Sequence, residues 1–241
     1  MEKADFPEVE LHISEYSLSL SNRNIINDSC MKGAFLVYNA ISCLGKADIM
    51  GHWLFTDAYA DSQDTGKLLF GGCGLLTKDG ITKPAYYAVE FLNRLYRRIL
   101  RIHPQYLITR SERGSIRIIC HNMKKLNYYY YVTEEDSLQI KDIPTVMENR
   151  EFLMLHFRFT QIKDGVYRIK QNRLNRSCGS VQDNWGKLNR ESDLTMREME
   201  YLKNISTSAI TIREDEAKNG VLEFDISMEP DEICYIHVLI K

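Results

Sequence analysis

The sequence predicts an α/β unit followed by an all-β region, and three observations carry this. Strand and helix periodicities alternate through roughly the first ninety residues. Short strand-like runs separated by turns fill most of the remainder, as in a β-sandwich or barrel. A long polar connection with clustered glycines lies between the second strand and the second helix, and a connection of that length in a compact domain is usually functional.

The opening strand is read from the alternation of Val9, Leu11 and Ile13 with Glu10, His12 and Ser14; the polar stretch 17–27 follows as a loop at its C-terminal end. Asp28 or Ser29 can cap a helix over 30–44, in which Met31, Ala34, Phe35, Tyr38, Ile41 and Leu44 recur at helical spacing, and Gly45 supplies the stop. The apolar run 49–55 reads as a second, buried strand. Pro84 then opens a second helix carrying Val89, Phe91, Leu92, Leu95 and Tyr96. Between them lie Gly66, Gly71, Gly72, Gly74 and Gly80. No phosphate-binding spacing is present, so tight turns are their expected role. From about residue 99 candidate strands fall at 106–110, 115–122, 128–132, 152–159, 165–172, 209–214, 222–228 and 233–240. One helix interrupts them, capped by Thr195 with Glu198 completing a capping box. The domain boundary is expected near 97–104, dividing the chain into 1–98 and 99–241.

Composition excludes several classes. The chain has 241 residues, 44% hydrophobic and 27% charged, with a formal net charge of −2, so it is globular and offers no electrostatic case for direct nucleic-acid binding. Arg94, Arg97, Arg98 and Arg101 read as a solvated face at a helix end. The six cysteines lack pair spacing and ligand partners, which points to buried free thiols, a reducing cytoplasmic setting, no metal and no cofactor. No signal peptide is expected from the charged run 1–5, and no apolar run reaches membrane-span length.

Candidate reacting groups gather at the predicted strand ends: Glu15, His52, Trp53, Asp57, Tyr59 and Asp61. Carboxylates with aromatic rings suit carbohydrate, because a ring face stacks on a sugar while carboxylates bind hydroxyls and do acid/base work. Trp53 filling a core and Asp57 capping a turn are the structural alternatives. Glu15 is the strongest candidate, since an unpaired buried carboxylate at a strand end is costly. His12 is expected on the other face of the strand, and His121 is expected to be structural.

Several segments in order resemble the C-terminal part of family 39 glycoside hydrolases, the group of β-xylosidases and α-L-iduronidase. Ile13-Ser14-Glu15-Tyr16 resembles the strand-seven motif whose glutamate is the nucleophile, a role the resemblance implies for Glu15. Trp53-Leu54-Phe55-Thr56-Asp57 resembles the strand-eight motif bordering the sugar, implying substrate contacts for Trp53, Phe55, Asp57 and, in the following loop, Asp61. The run 70–77 with 80–86 follows the family's glycine-rich segment and Lys-Pro helix start, and 179–185 with 194–202 is similar to the accessory β-sandwich. The implied fold is the last two strand-helix units of a TIM (β/α)8 barrel followed by an antiparallel β-sandwich.

The resemblance also has departures. Ala60-Asp61 stands where xylosidases carry paired glutamates, and Ser17 replaces an asparagine. A retaining enzyme needs a second carboxyl group roughly 5–5.5 Å from the first, and the family's Asn-Glu-Pro motif that supplies it is absent. The implied reading is a retaining β-glycosidase portion acting on a xylose-containing or related saccharide, inactive without an upstream barrel region. The segments 14–16, 75–80 and 121–128 also look like the variant fused behind AraC-type transcriptional regulators, where the role would be sugar sensing and any DNA contact would come from an upstream domain. Unsatisfied strand edges lead us to expect self-association, giving a homo-oligomer or low solubility.

Overall fold

The computed structural model describes residues 9–58 and 66–241. Two parallel strands, β1 (His12–Tyr16) and β2 (Ile49–His52), are each followed by a helix, α1 (Cys30–Cys43) and α2 (Pro84–Asn93). A six-stranded antiparallel sheet comes next, from β3 (Arg98–His103), β4 (Tyr106–Arg110), β5 (Ile116–His121), β7 (Gly165–Leu174), β8 (Ala209–Ala217) and β10 (Ile233–Ile240), ordered β3-β4-β5-β10-β7-β8. A two-stranded ribbon, β6 (Leu153–Thr160) with β9 (Val221–Met228), faces it. Three helices interrupt the strands: α3 (Tyr128–Val132), α4 (Val181–Lys187) and α5 (Met196–Ile205). No closed barrel is formed among the described residues.

The pattern of each strand follows from what covers it. In β9, Leu222, Phe224, Ile226 and Met228 are buried and the residues between them are not, the alternation of a strand with one covered face. They meet Ile118, Ile169 and Ile236 from the large sheet, with Phe157 against Phe224 at 5.5 Å between ring centres. Strand β10 lies centrally and is covered on both faces, so it reads as a nearly continuous apolar run. Its second face meets α1 and α2: Val37, Ile41, Ala88 and Phe91 pack on Ile119 and Tyr235, with Phe91 stacked on Tyr235 at 5.7 Å. The regions before and after residue 98 thus share one apolar layer.

Several expectations change. Residues 128–132 form the helix α3, not a strand: Asn127 caps it by accepting the Tyr130 N–H, and no neighbouring strand offers a ladder. The arginines after α2 do not prolong it, because the helix stops at Asn93 and 98–103 pairs with β4 as an edge strand. Strand β2 is shorter than 49–55 and is not buried; Ile49 is 53% exposed because nothing among the described residues covers that side. The Thr195–Glu198 capping box is present, and Gly45 ends α1 with a φ of +74°. Helix α4 was not anticipated; Ser180 caps it, and its Trp185 joins Leu68, Leu69 and Leu202 in a satellite core.

A fully buried ion cluster joins the α/β loops. Lys83, just before α2, reaches Asp28 at 2.5 Å and Asp57 at 2.9 Å, and donates to the Gly72 carbonyl at 2.6 Å. Asp28 accepts from the Gly71 N–H and Asp57 from the Gly74 N–H. Burial alone would lower the Lys83 pKa, but the two carboxylates outweigh it and raise it, so the ammonium stays charged. The glycines allow this approach. A Cβ on Gly72 would lie 2.4 Å from the Asp57 carboxylate, and Gly71 adopts a left-handed φ of +86°. Beside this cluster Lys32, also buried, donates to Ser17 Oγ, Asn27 Oδ1 and the Cys73 carbonyl, and burial lowers its pKa to about 8.

Lys83→Met should cost about 3–5 kcal/mol in urea unfolding, because it leaves two carboxylates buried without a cation; adding Asp28→Asn should recover part of the loss. Asp231 supplies a pH test. Burial raises its pKa to about 7, against opposition from the Lys124 N–H and from Lys124 and Arg176. The folded state therefore holds a proton that the unfolded chain releases near its ordinary value, so stability from this group falls as pH rises from about 4 to 7. Asp231→Asn should match wild type near pH 4 and exceed it by roughly 2–4 kcal/mol above pH 8, read from melting curves across that range.

Candidate active site

Parallel pairing brings the C-terminal ends of β1 and β2 together. His12 pairs with Ile49 and Ile13 with Met50, but Tyr16 then pairs with His52, so the register slips by one residue across Ser14 and Glu15. Such an extra residue bends a strand and re-aims its side chains. Glu15 is exposed at this slip, and the close passage of the strands requires Gly51, where a Cβ would sit 2.4 Å from the Ser14 carbonyl. The expectation that burial would make Glu15 costly is thereby corrected: its carboxylate meets solvent. The slip also interrupts the alternation between His12 and Glu15, so their separation in sequence does not set their faces. His12 is exposed and lies 2.7 Å from Glu10.

Across from Glu15, the Trp53 N–H donates to the Tyr16 carbonyl at 3.0 Å, and the peptide joining Trp53 to Leu54 is cis. Trp53 is half-buried and Phe55 is 65% exposed, so two aromatic side chains stand at the end of β2. His52 is turned inward, edge-on to Tyr16 at 5.9 Å. Burial, with Lys32 and Lys83 nearby, holds its pKa down to about 3, which keeps the ring neutral at ordinary pH.

Asp57 is placed differently. Its side chain is wholly buried, one oxygen bonded to the Gly74 N–H at 2.7 Å and the other to Lys83. It anchors the loop after β2 to Lys83 and does not meet solvent. The structure therefore gathers Glu15, Trp53 and Phe55 at one end of the two strands and takes Asp57 out of the surface set. Asp61 and Tyr59 lie outside the described residues.

The supporting layer was missed by sequence reasoning. Lys32 donates to Ser17, which follows Glu15 by two residues, and Asn27 donates to Ser19, to the Ser21 carbonyl and to the Gly71 carbonyl. These bonds tie the loop after β1 to the glycine-rich segment after β2. A lysine within the apolar spacing of α1 was the available signal. Among the described residues no cluster of His, Cys, Asp and Glu could hold a metal, and no helix is long and apolar enough to cross a membrane. His121 is structural, as expected: it is buried, bonded to the Pro104 carbonyl at 2.8 Å, and held down to about 4 by burial.

The sequence profile of glycosyl hydrolases family 39 matches residues 1–219. A β-xylosidase of Geobacillus stearothermophilus is 24% identical over 237 residues, covering 98% of this chain and 42% of that protein. An uncharacterized HTH-type transcriptional regulator of Staphylococcus aureus is 20% identical over 214 residues, covering 89% of this chain and 27% of that protein. Among solved structures, a GH39 enzyme from Xanthomonas axonopodis pv. citri superposes with a TM-score of 0.82 at 18% identity over 99% of this chain and 46% of that one. A monomeric β-xylosidase from Caulobacter crescentus CB15 gives 0.82 at 19% identity over 98% and 46%. At such identities the structural likeness concerns the fold, and the chain spans less than half the length of these relatives. With the family profile running through both the strand ends that carry Glu15 and Trp53 and most of the β-rich region, the chain belongs to glycosyl hydrolase family 39.

Proposed function

We propose that this chain is the C-terminal portion of a retaining β-glycosidase of the β-xylosidase type, with Glu15 as the nucleophile. The observation that carries the reading is the placement of Glu15: a solvent-facing carboxylate at a register slip, beside Trp53 and Phe55 at the same strand ends. In this reading Glu15 attacks the anomeric carbon to form a glycosyl-enzyme ester while an acid/base upstream protonates the departing oxygen; the same group then activates the water that releases the sugar. Trp53 and Phe55 contact the sugar, Asp61 is a further substrate contact, and Asp57 anchors the loop that carries them.

Residues 1–98 then correspond to the last two strand-helix units of a TIM (β/α)8 barrel, and 99–241 to an accessory β-sandwich. The parallel pairing of β1 with β2 supports this, as do the exposed Leu11 and Ile49, which fit a sheet continued by further strands. Without those strands the chain should self-associate. Six free cysteines, four of them buried, suit the reducing cytoplasm.

A second reading follows from the relatives named as HTH-type transcriptional regulators, which match 89% of this chain. In it the same strand-end site binds a saccharide and biases an attached DNA-binding domain without turnover.

Assay of the complete protein with an aryl β-xyloside separates the two. Under the enzyme reading Glu15→Gln lowers kcat/KM by on the order of 10⁴-fold while the fold is retained; unchanged turnover would sink it. Under the sensor reading the wild-type protein shows no turnover yet binds xylo-oligosaccharide by calorimetry and shifts promoter occupancy, and absence of both effects would count against it.

A further inference from the structure

Helix α3 turns aromatic rings outward beside the loop that leaves the Glu15 end of β1. Tyr128, Tyr129 and Tyr131 are 79%, 54% and 71% exposed, and Val132 next to them is exposed as well. At about 100° per residue these four side chains occupy one continuous arc of the helix, and Tyr130 alone lies opposite the centre of that arc. Single apolar groups on a surface are ordinary. Three neighbouring rings, each able to bury about 150–250 Å² when covered, form a contact surface that folding leaves unused.

Tyr130 is the anchor. Its hydroxyl accepts from the Asn24 side chain at 2.8 Å, and its ring joins Leu18, Ile25 and Ile26 in one apolar cluster. Just past the helix, Glu135 accepts the Ser21 N–H at 3.0 Å and Asp136 accepts the Ser21 hydroxyl at 3.1 Å. All of these partners belong to the loop after β1 or to the short helical turn that closes it, and that loop starts directly after Tyr16, the neighbour of Glu15. The outward rings are therefore carried by the same loop that leads away from Glu15. Tyr131 is also held edge-on to Tyr130, with 5.5 Å between ring centres.

The chemistry of this surface selects its ligand. The hydroxyls of Tyr128, Tyr129 and Tyr131 have no hydrogen-bond partner among the described residues, so they are free to exchange bonds with a polar ligand. Glu134 and Asp136 are exposed after the helix, against Lys125 before it, which disfavours a phosphate or a nucleic acid. Rings with free hydroxyls at a mildly acidic edge match a neutral sugar, whose C–H face lies on the ring while its hydroxyls meet the phenols. Tyrosine suits this because it supplies rigid, amphipathic contact at low conformational cost.

The geometry points to α3 as an outer platform for a neutral saccharide, taking a sugar unit beyond the one held by Trp53 and Phe55. This deepens the reading of the strand ends as a saccharide site and rests on it. The platform adds affinity for a longer chain while Glu15 remains at the reacting bond.

Calorimetry on the complete protein tests this with xylohexaose and xylobiose. The hexaose should bind about tenfold more tightly, as ring stacking implies, and added salt should leave the difference intact because no ion pair carries it. Tyr128 and Tyr131 are exposed, so the double variant Tyr128→Ser, Tyr131→Ser should fold normally, lose the difference and leave the xylobiose affinity unchanged. The pair Tyr128→Phe, Tyr131→Phe keeps the rings and should keep most of the difference. Equal binding of the two saccharides, a difference that survives the serine pair, or a loss as large in the phenylalanine pair would overturn the platform. Sedimentation examines the other occupant: if the wild type associates and the serine pair is monomeric, the rings form a contact between copies and the assignment fails. Turnover of a short aryl β-xyloside reads Glu15 separately. If it depends on Glu15 while the two saccharides bind equally, the platform fails and the nucleophile reading stands; if Glu15→Gln leaves turnover unchanged while the serine pair abolishes the difference, the reverse holds.

Discussion

The Lys83 ammonium, buried between Asp28 and Asp57, is the contact on which the arrangement of the strand ends depends. A charge this deep is tolerated only when every neighbour answers it. The Gly71 and Gly74 N–H groups donate to the carboxylates, and the Gly72 carbonyl accepts a further hydrogen bond from the ammonium. The cluster ties the start of α1, the loop after β2 and the start of α2 to one point. Two loops that bear candidate substrate contacts therefore leave a common, rigid base, which is what a site built on loops needs for precision.

Around that base the chemistry is divided by exposure. Glu15 and Phe55 reach solvent, Trp53 is half-buried, and His52 and Asp57 turn inward. The division follows from backbone geometry: the register slip in β1 presents Glu15, while the approach of the glycine-rich segment to Asp57 leaves no room for water on either oxygen. Two carboxylates that look alike in a sequence become a surface group and a structural anchor. The large sheet supports this from below, since its central strand carries α1 and α2 on one face and the β6–β9 ribbon on the other.

Legibility varied with the source of order. Residues 195–205 and 222–228 were readable because their signals are local, a capping box in one case and strict alternation in the other. The four consecutive tyrosines of 128–131 misled, since β propensity describes residues that already have a strand to pair with, and this segment has none. Arg98 and Arg101 were read as a helix surface, yet an edge strand exposes such side chains equally well. At the strand ends, Glu15, Trp53 and Phe55 were recognisable from type and position. Lys32 was not singled out, because a lysine in an apolar helix pattern resembles a snorkelling surface residue until its partners are known, and Lys83 was read only as part of a Lys-Pro helix start.

The sequence by itself determined the alternation of strand and helix in the first region, the β-rich character of the second, the family motifs, and Glu15 as the residue most suited to react. These rest on periodicity and residue type, which act over a few positions. Only the tertiary structure decided that Asp57 faces inward, that the clustered glycines serve close approach to a buried ion pair as well as turning, and that Tyr130 turns in toward Asn24 while the tyrosines around it stay exposed. Each of those depends on contacts between residues far apart in the chain, where burial sets the role of a charge and local pattern carries no record of it.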